Sequence, residues 1–362
     1  MENKDLIPSE KHQVDEDQDV WSNLPPELLS LVSSNLFAGD KAIFYAICKT
    51  WRSIPITPPR PLPSPFDHAF PWLFRILKSN IDRGQFFHPI HNYTCELDLS
   101  AEVLGAEIRF SKYGWLLMTR DEVHPFLFNP LTKEIIELPE LPPLEWVHSM
   151  FFTSPPSPDC LVLGIEGRFY LVSIFVHKLG EDSWEMHNFP CHVKFRLSVC
   201  NPILYRELYY CLDAKGNLGV FDLKNIENSW DTYKITFPSR RIKSIVQAYL
   251  VENEEELLAI LITKDDQKIH VLKLNLTSKT WEPVRSLGRN MLFVSKGASF
   301  SKTAAVRGTS NKIYGPNFWD KNGSFCFYSL ATGKYHSFFD NPSSKDSYNI
   351  KFLQQSSWFI SM

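Results

Sequence analysis

Cysteine and histidine, the residue types that bind zinc, gather in one part of the chain. The group comprises Cys191, His192, Cys200 and Cys211. Structural zinc sites take their ligands in short, regular pairs. The gaps here do not fit that spacing, and no HExxH or CxxC motif occurs. We therefore predict no metal site, but buried strand cysteines and an exposed histidine.

Two acidic runs, 254–256 and 265–266, have the residue type of a general acid and base pair. Both lie in or beside predicted turns between strands, so we interpret them as solvated loops. No GxGxxG or Walker loop is present to hold a phosphate, and no GxSxG motif is present to carry a nucleophile. The sequence predicts no catalytic residue and no cofactor.

A different kind of chemistry, recognition of a partner, is open to a few side chains. Arg240, Arg241 and Lys243 form a basic cluster that could bind an acidic motif or a phosphate, with a solvated loop as the alternative. Aromatic and histidine side chains in turn-rich segments add to the set. The candidates for a target-binding surface are Trp146, His148, Arg240, Arg241 and Trp319.

Composition limits the class of protein. The chain has 362 residues, of which 44% are hydrophobic and 22% charged, as in soluble globular proteins. A net charge of −3 does not favour nucleic-acid binding through phosphates. The first residues lack the apolar segment of a secretory signal, and no apolar run approaches the ~20 residues that span a bilayer. The seven irregularly spaced cysteines argue against a disulfide framework. We expect a location in the cytoplasm, the nucleus or both, with no nucleic-acid or membrane partner.

Two short amphipathic helices are predicted between Leu24 and Ile54. Proline at positions 25 and 26 suits the first turn of a helix, where a backbone N–H has no partner to lose. The first helix has one apolar stripe, formed by Leu28, Leu31, Val32 and Leu36. The second carries Ile43, Phe44, Ile47, Cys48 and Trp51. Two helices of this length cannot enclose a core. Their stripes must dock either on the rest of the chain or on another protein.

Proline separates this helical pair from the remainder of the chain. It occupies six positions of the segment 55–66, which excludes helix and favours an extended, semi-rigid spacer. We predict a disordered acidic tail over 1–18, a helical module over 19–55, a proline-rich linker over 56–66 and a second domain over 67–362.

The second domain repeats one pattern of strand, turn and strand. Aligning five such hairpins places equivalent large side chains 46 to 54 residues apart, at Ile136, Trp184, Trp230, Trp281 and Tyr335. A sixth unit is predicted over Trp72–Leu99. Repeats of about 50 residues with four strands indicate a β-propeller of kelch-like length, and the large side chains would fill the space between blades. The fold class is therefore α+β and multidomain, a small all-α module before an all-β propeller. Six blades are predicted, with five to seven open. A pair of immunoglobulin-like sandwiches is disfavoured because the hairpin recurs at one period.

The helical pair resembles an F-box. The matching residues, in order, are Leu24, Pro25, Glu27, Leu28, Leu29, Val32, Leu36, Asp40, Ile47, Cys48, Lys49, Trp51 and Arg52. The chain departs from the family pattern at Ser33, Lys41, Ile43 and Tyr45. The resemblance implies binding to the adaptor subunit of an SCF-type ubiquitin ligase and, through it, to a cullin. The implied adaptor-binding residues are Leu24, Pro25, Leu28, Leu29, Val32, Leu36, Ile47 and Trp51, some of which must instead hold the two helices together.

The second domain resembles the C-terminal domain of plant F-box proteins with a kelch-like propeller. The similar segments are Trp115–Leu117, Phe128–Thr132, Leu138–Pro139, Gly216–Leu218, Phe221–Asp222, Ser286–Gly288, Leu292–Phe293 and Asn311–Tyr314. Together the two resemblances imply a substrate-recognition subunit of an SCF-type ligase that holds an unknown target protein and performs no bond chemistry itself. A non-degradative scaffold and a propeller enzyme are the alternatives.

Overall fold

The computed structural model describes residues 24–36, 38–56, 70–76, 83–90, 93–142, 147–168, 170–198, 200–238, 242, 245–263, 268–319, 325–337 and 356–360. The predicted acidic tail lies outside these residues, as does the predicted linker beyond Ile56. The chain divides into two compact units, Met1–Ser64 and Pro65–Met362.

The first unit contains three helices, α1 (Pro26–Ser34), α2 (Ala38–Ile47) and α3 (Lys49–Arg52). Helix α1 starts where the sequence indicates, after Pro25 in an extended conformation and with Glu27 in the first turn. The second predicted helix is interrupted at Cys48, whose backbone is extended (φ −152°, ψ 172°). At this break the Arg52 Nε donates a hydrogen bond to the Tyr45 carbonyl (3.1 Å), which helps to satisfy the end of α2.

A small apolar core holds these helices together. Leu29, Phe44 and Ile54 are buried. The side chains that pack around them are partly buried: Leu24, Leu36, Tyr45 and Trp51. The ring centroids of Phe44 and Trp51 lie 4.6 Å apart. The apolar core of the unit therefore takes one buried side chain from α1, one from α2 and one from the segment after α3.

The second unit is built of strands. Its first half contains β1 (Trp72–Ile76), β2 (Arg83–His88), β3 (Tyr93–Asp98), β4 (Glu107–Lys112), β5 (Trp115–Arg120), β6 (His124–Phe128), β7 (Ile135–Glu137), β8 (Ser149–Phe152), β9 (Leu161–Arg168), β10 (Leu171–Lys178) and β11 (Glu185–Pro190). Its second half contains β12 (Ile203–Tyr205), β13 (Leu208–Leu212), β14 (Leu218–Phe221), β15 (Asp231–Tyr233), β16 (Ile245–Asn253), β17 (Glu256–Thr263), β18 (Ile269–Asn275) and β19 (Thr280–Pro283). The last strands are β20 (Asn290–Val294), β21 (Ser299–Thr303), β22 (Lys312–Trp319), β23 (Phe325–Ser329), β24 (Lys334–Ser337) and β25 (Ser356–Phe359). One 3₁₀ helix, Leu223–Asn228, precedes β15.

Across the described residues these strands form six sheets, the blades of a propeller. Blades 2 to 5 consist of four successive antiparallel strands each: β4–β7, β8–β11, β12–β15 and β16–β19. Blade 1 combines β1–β3 with β25 from the other end of the chain, so that Trp72 pairs with Phe359 and Arg75 with Ser356. This pairing closes the ring. The predicted six-bladed propeller is confirmed.

Blade 6 departs from the repeat. Its order is β21-β20-β22-β23-β24, and β20 runs parallel to β22, with Phe293 opposite Tyr314. Blade 6 thus has five strands where the other blades have four, and the strand pattern of the sequence did not predict β20.

Several hairpins turn over two residues with positive φ. The pairs are Tyr113–Gly114, Arg206–Glu207 and Glu254–Glu255, which join the first two strands of blades 2, 4 and 5. Two consecutive left-handed residues define a type I′ turn, whose twist matches that of antiparallel strands. The acidic run 254–256 is thus the exposed turn that the sequence predicts.

Tryptophan side chains join neighbouring blades. The indole nitrogen of Trp184 beside β11 donates to the Pro139 carbonyl of blade 2 (2.9 Å). Trp281 of blade 5 donates to the Gly216 carbonyl of blade 4 (2.8 Å), and Trp358 of blade 1 to the Val294 carbonyl of blade 6 (3.2 Å). Among the aligned side chains Trp281 and Tyr335 are buried, whereas Ile136, Trp184 and Trp230 are half-buried.

Candidate functional site

The helical unit exposes part of its apolar stripes. Leu28, Leu31 and Val32 of α1 are 49%, 61% and 44% exposed, and Ile47 of α2 is 57% exposed. Single exposed aliphatic side chains are ordinary on protein surfaces. Three of these four lie within five positions on one short helix, so α1 presents a continuous apolar strip that its own unit leaves uncovered.

The structure divides the predicted adaptor-binding residues into two groups. Pro25, Leu28, Val32 and Ile47 are exposed. Leu29 is 1% exposed and belongs to the core of the helical unit. Leu24, Leu36 and Trp51 are half-buried and pack against that core. Leu31 is absent from the predicted set, although its place in the stripe of α1 is the signal that could have found it.

Two departures from the F-box pattern contact each other. The buried Ser33 of α1 and Tyr45 of α2 share a hydrogen bond between their hydroxyl oxygens (3.1 Å). A buried serine hydroxyl without a partner would destabilise the unit, because its hydrogen bonds to water are lost. Tyr45 supplies the partner, so the two departures compensate one another.

In the propeller, two cavities occupy opposite ends of the strands that line the central channel. One, of about 550 Å³, is lined by a segment of every blade and is rich in aromatic side chains; we call it the aromatic chamber. Its walls include Phe110, Phe152, Leu204, Phe300 and Trp358. The other, of about 460 Å³, is the charged chamber, lined by Glu107, Arg109, His148, Arg196 and Lys296 among others.

A small polar partition lies between the chambers. The Asn201 side-chain amide donates to the carbonyls of Arg109 (2.8 Å) and Lys296 (3.2 Å), which belong to blades 2 and 6. Beside it, the Ser111 amide donates to the Gly297 carbonyl (2.8 Å). A Cβ at Gly297 would lie 2.8 Å from the Ser357 hydroxyl, so only glycine lets the 295–298 turn approach the axis this closely.

The charged chamber is lined by charges of both signs, with Arg109, Arg196 and Lys296 on one side of the balance and Glu107, Asp121 and Glu122 on the other. Arg109 and Lys296 both form salt bridges to Glu107, and Arg109 is 3.0 Å from that carboxylate. Burial by itself would raise the pKa of Glu107, but its hydrogen bonds and ion pairs with these two cations outweigh burial and lower the pKa. Arg196, also in the lining, makes no salt bridge to a described carboxylate.

His148 lies in this chamber. The Gly167 amide donates to its Nδ1 (3.5 Å), so the neutral ring carries its hydrogen on Nε2. Burial lowers the pKa of His148 below its ordinary value. The Glu166 carboxylate opposes that shift, and three positive charges add to it: Arg196, Arg109 and Arg168. The ring is therefore neutral at physiological pH.

The other predicted recognition residues fall outside the part of the chain whose side chains the structure describes. Trp146, Arg240 and Arg241 lie outside the described residues. Trp319 ends β22, but its side chain is outside the described part. The acidic run 265–266 also falls outside it.

The cysteine and histidine group does not form a site. Cys191, Cys200 and Cys211 are buried and His192 is exposed. Among the residues that the structure describes, no three His, Cys, Asp or Glu side chains are placed to hold a metal ion. No helix in the described part of the chain is long and apolar enough to cross a membrane.

The fold defines a six-bladed propeller preceded by a helical unit with an apolar surface. Residues 86–329, well over half of the chain, match the KIB1-4 beta-propeller family. The protein therefore belongs to that family.

Related proteins of Arabidopsis thaliana extend over most of the chain. This chain is 27% identical to the F-box/kelch-repeat protein At1g57790, and the match covers 88% of this chain and 89% of the relative. It is 27% identical to the F-box protein At3g56470 (77% and 74% covered) and 25% identical to the F-box/kelch-repeat protein At3g18720 (83% and 81%). The predicted resemblance to plant F-box proteins with a kelch-like propeller is confirmed.

Proposed function

We propose that the protein is the substrate-recognition subunit of an SCF-type ubiquitin ligase. The helical unit binds the adaptor subunit and, through it, a cullin, while the propeller holds a target protein. The proposal is supported by relatives whose names identify them as F-box proteins and by the apolar strip of α1.

The observation that carries the proposal is the incomplete burial of the helical unit. Fully burying an aliphatic side chain of this size contributes about 1.5–3 kcal/mol. Leu28, Leu31, Val32 and Ile47 stay 44–61% exposed in the unit, so a partner that covers them would gain a substantial part of that free energy. Apolar strips of this kind on a helix fit the groove of a partner.

Within this proposal the residues have separate roles. Pro25, Leu28, Val32 and Ile47 contact the adaptor directly, with Leu24 at the edge. Leu29, Leu36 and Trp51 hold α1 against α2 and α3, because they pack on the Phe44 ring and its neighbours. We also propose the predicted boundaries: an F-box over 19–55, a linker over 56–66 and a propeller over 67–362.

The protein itself performs no bond chemistry in this scheme. It brings a target close to the rest of the ligase, and proximity converts a bimolecular encounter into a local one. The proline-rich linker sets the reach between the two binding units.

The test is co-purification of the full chain with the adaptor subunit. Leu28→Glu places a charge in the strip and should weaken adaptor binding by about tenfold or more, because a charge must then be desolvated at the interface. Leu171→Glu is the matched control, since Leu171 is an exposed leucine of the propeller (40%). Equal adaptor binding by both variants and the unchanged chain would refute the assignment.

A second measurement separates a ligase receptor from a scaffold. A target captured by the propeller should have a longer half-life when the proteasome is inhibited and when Leu28→Glu replaces the unchanged chain. A half-life that neither treatment alters would favour the non-degradative scaffold.

A further inference from the structure

The aromatic chamber has walls that the fold builds in advance. Phe110, Phe151, Phe152 and Tyr209 come from blades 2, 3 and 4, and Phe300 and Trp358 come from blades 6 and 1. Because these side chains stand on strands of a closed ring, their positions are determined by the packing of the blades.

The rings on one side form a continuous wall. Phe110 and Phe152 have centroids 5.1 Å apart in an edge-to-face arrangement. The Phe151 centroid is 6.2 Å from that of Phe110, and the Tyr209 centroid is 5.2 Å from that of Phe151. Such contacts hold aromatic side chains in one orientation. Phe151 and Phe152 are 2% and 1% exposed, so they pack behind the half-buried Phe110 and hold it in place, and Phe110 presents the apolar surface on this side of the chamber.

One polar group in this wall has no partner among the described residues. Tyr209 is 8% exposed, and its hydroxyl makes no hydrogen bond to any of them. Burial, with a smaller contribution from Tyr113, raises the pKa of Tyr209 to about 12, so the group is a neutral phenol at physiological pH. The hydroxyl oxygen itself is not fully buried, and Tyr209 lines the chamber. A ligand in the chamber could supply the hydrogen-bond partner that the described residues do not.

The chamber is also closed at its inner end. The partition formed by Asn201, Ser111 and Gly297 separates it from the charged chamber, so a bound molecule would enter from one side and stop there. The volume of about 550 Å³ lies in the range of sites that bury most of a small molecule.

We propose that the aromatic chamber is a binding site for a small, planar, largely apolar molecule that is neutral and carries one hydrogen-bonding oxygen. The flat faces of the molecule pack against the half-buried Phe110 and Phe300 rings, and its oxygen meets the Tyr209 hydroxyl. A blind, rigid chamber suits a compact molecule better than an extended peptide, which needs an open groove. The site goes beyond target binding by the propeller and does not depend on the adaptor role.

The probes for the test are 2-naphthol and 2-methylnaphthalene, which have the same shape and differ in one hydroxyl. Dissociation constants for the full chain are measured by ligand-observed NMR titration. We expect saturable binding of both, with 2-naphthol the tighter. Tyr209→Phe should raise the dissociation constant of 2-naphthol about threefold to tenfold and change that of 2-methylnaphthalene less than twofold.

Two matched pairs of variants locate the site. Leu204 lines the chamber and is 48% exposed, so Leu204→Trp places a larger side chain inside it. Val246 is 53% exposed and is not one of the lining residues, so Val246→Trp is the control. Leu204→Trp should weaken both probes at least tenfold, and Val246→Trp less than twofold. Tyr210→Phe is the control for Tyr209→Phe, because alternation along β13 places Tyr210 on the opposite face.

Binding that Leu204→Trp leaves unchanged would overturn the proposal. So would the absence of saturable binding up to the solubility limit of each probe. A third outcome would also overturn the proposal. In that outcome neither probe binds, Leu204→Trp abolishes recovery of the target protein, and Val246→Trp retains it. The chamber would then receive a peptide side chain of the target. Adaptor co-purification from the same samples shows separately whether the proposed function holds.

Discussion

In the described residues the helical unit buries three large apolar side chains, Leu29, Phe44 and Ile54, while four others on α1 and α2 remain 44–61% exposed. The blades of the propeller instead bury most of their apolar residues in clusters shared between neighbours. One such cluster contains residues of blades 4, 5 and 6, among them Tyr210, Leu258 and Ile313. The helical unit therefore leaves apolar surface that a partner could cover, whereas the blades of the propeller cover each other's apolar surface.

This difference follows from chain geometry. A short helix has too little surface to enclose a core, so its stability depends on packing against something else. A blade buries both faces because it lies between two neighbours, and ring closure provides neighbours for every blade. Closure brings β25 next to β1, although most of the second unit separates them in sequence. We expect the two units to respond differently to the loss of a core side chain.

The largest effect is predicted for Trp358→Ala. It removes a fully buried indole from the closing strand and its hydrogen bond to Val294, so the free energy of unfolding of the propeller should fall by about 3–5 kcal/mol. Denaturant unfolding followed by circular dichroism measures this loss. Tyr170→Ala, at an exposed aromatic residue, is the control and should change stability by about 0.5 kcal/mol or less. Similar losses in both would mean that ring closure contributes little.

The next effect is expected in the other unit. Phe44→Ala should destabilise the helical unit by about 3 kcal/mol, the lower end of the range for such a change, because the core around it is small. Adaptor co-purification should be lost while the unfolding midpoint of the propeller stays unchanged. A lowered propeller midpoint in Phe44→Ala would show that the stabilities of the units are coupled.

A smaller effect tests the compensation between Ser33 and Tyr45. Ser33→Ala and Tyr45→Phe should each destabilise the helical unit, and the double variant should lose less than the sum by about 0.5–1.5 kcal/mol. Hydrogen exchange of the α1 amides reports this local stability. Additive losses would mean that the two hydroxyls do not support each other.

The smallest effect concerns pH and the charged chamber. The pKa of His148 is lowered in the folded protein, so the unfolded chain binds a proton at higher pH than the folded one. Stability contributed by this site should therefore be complete above about pH 6.5, the ordinary histidine value, and decline as pH falls below it. Groups that face the ring are Glu166, Arg196, Arg109 and Arg168.

The measurement compares thermal midpoints of the unchanged chain and His148→Gln at pH 7.5 and pH 5.5. The unchanged chain should lose more stability on acidification than the variant does. An equal loss in both would show that the proton on His148 does not discriminate between the folded and unfolded states.

Much of this architecture could be predicted because it is local in sequence. The apolar stripe and prolines around α1 mark a helix, and hairpins at one period mark blades, since each pattern depends on residues a few positions apart. The interruption at Cys48 and the additional strand β20 could not be predicted. The break at Cys48 involves a hydrogen bond from the Arg52 side chain to the Tyr45 carbonyl, which apolar periodicity does not report. Strand β20 pairs in parallel with β22 across the intervening β21, which a pattern of successive hairpins does not predict.

The candidate sites show the same limit. Leu28 and Leu29 are adjacent and both match the F-box pattern, yet one is exposed and the other is the centre of a core. Adjacent residues of a helix point in different directions, and the predicted stripe contains Leu28 but not Leu29. Only the packing of Phe44 and Ile54 against α1 decides which side of the helix is covered. His148 could be singled out from its segment, but its neighbours Arg196 and Lys296 come from other blades.

The order of the units, the period of the repeat and the resemblance to plant F-box proteins with a kelch-like propeller could be predicted from residue type and spacing along the chain, while the number of blades stayed open between five and seven. The closure of the ring through β25 and the division of the channel by the 295–298 turn emerge only in three dimensions. Only the three-dimensional structure shows which blade supplies each wall of the two chambers. The physical reason is that these features arise from contacts between segments far apart in the chain, and no local pattern records which distant segment will supply the partner.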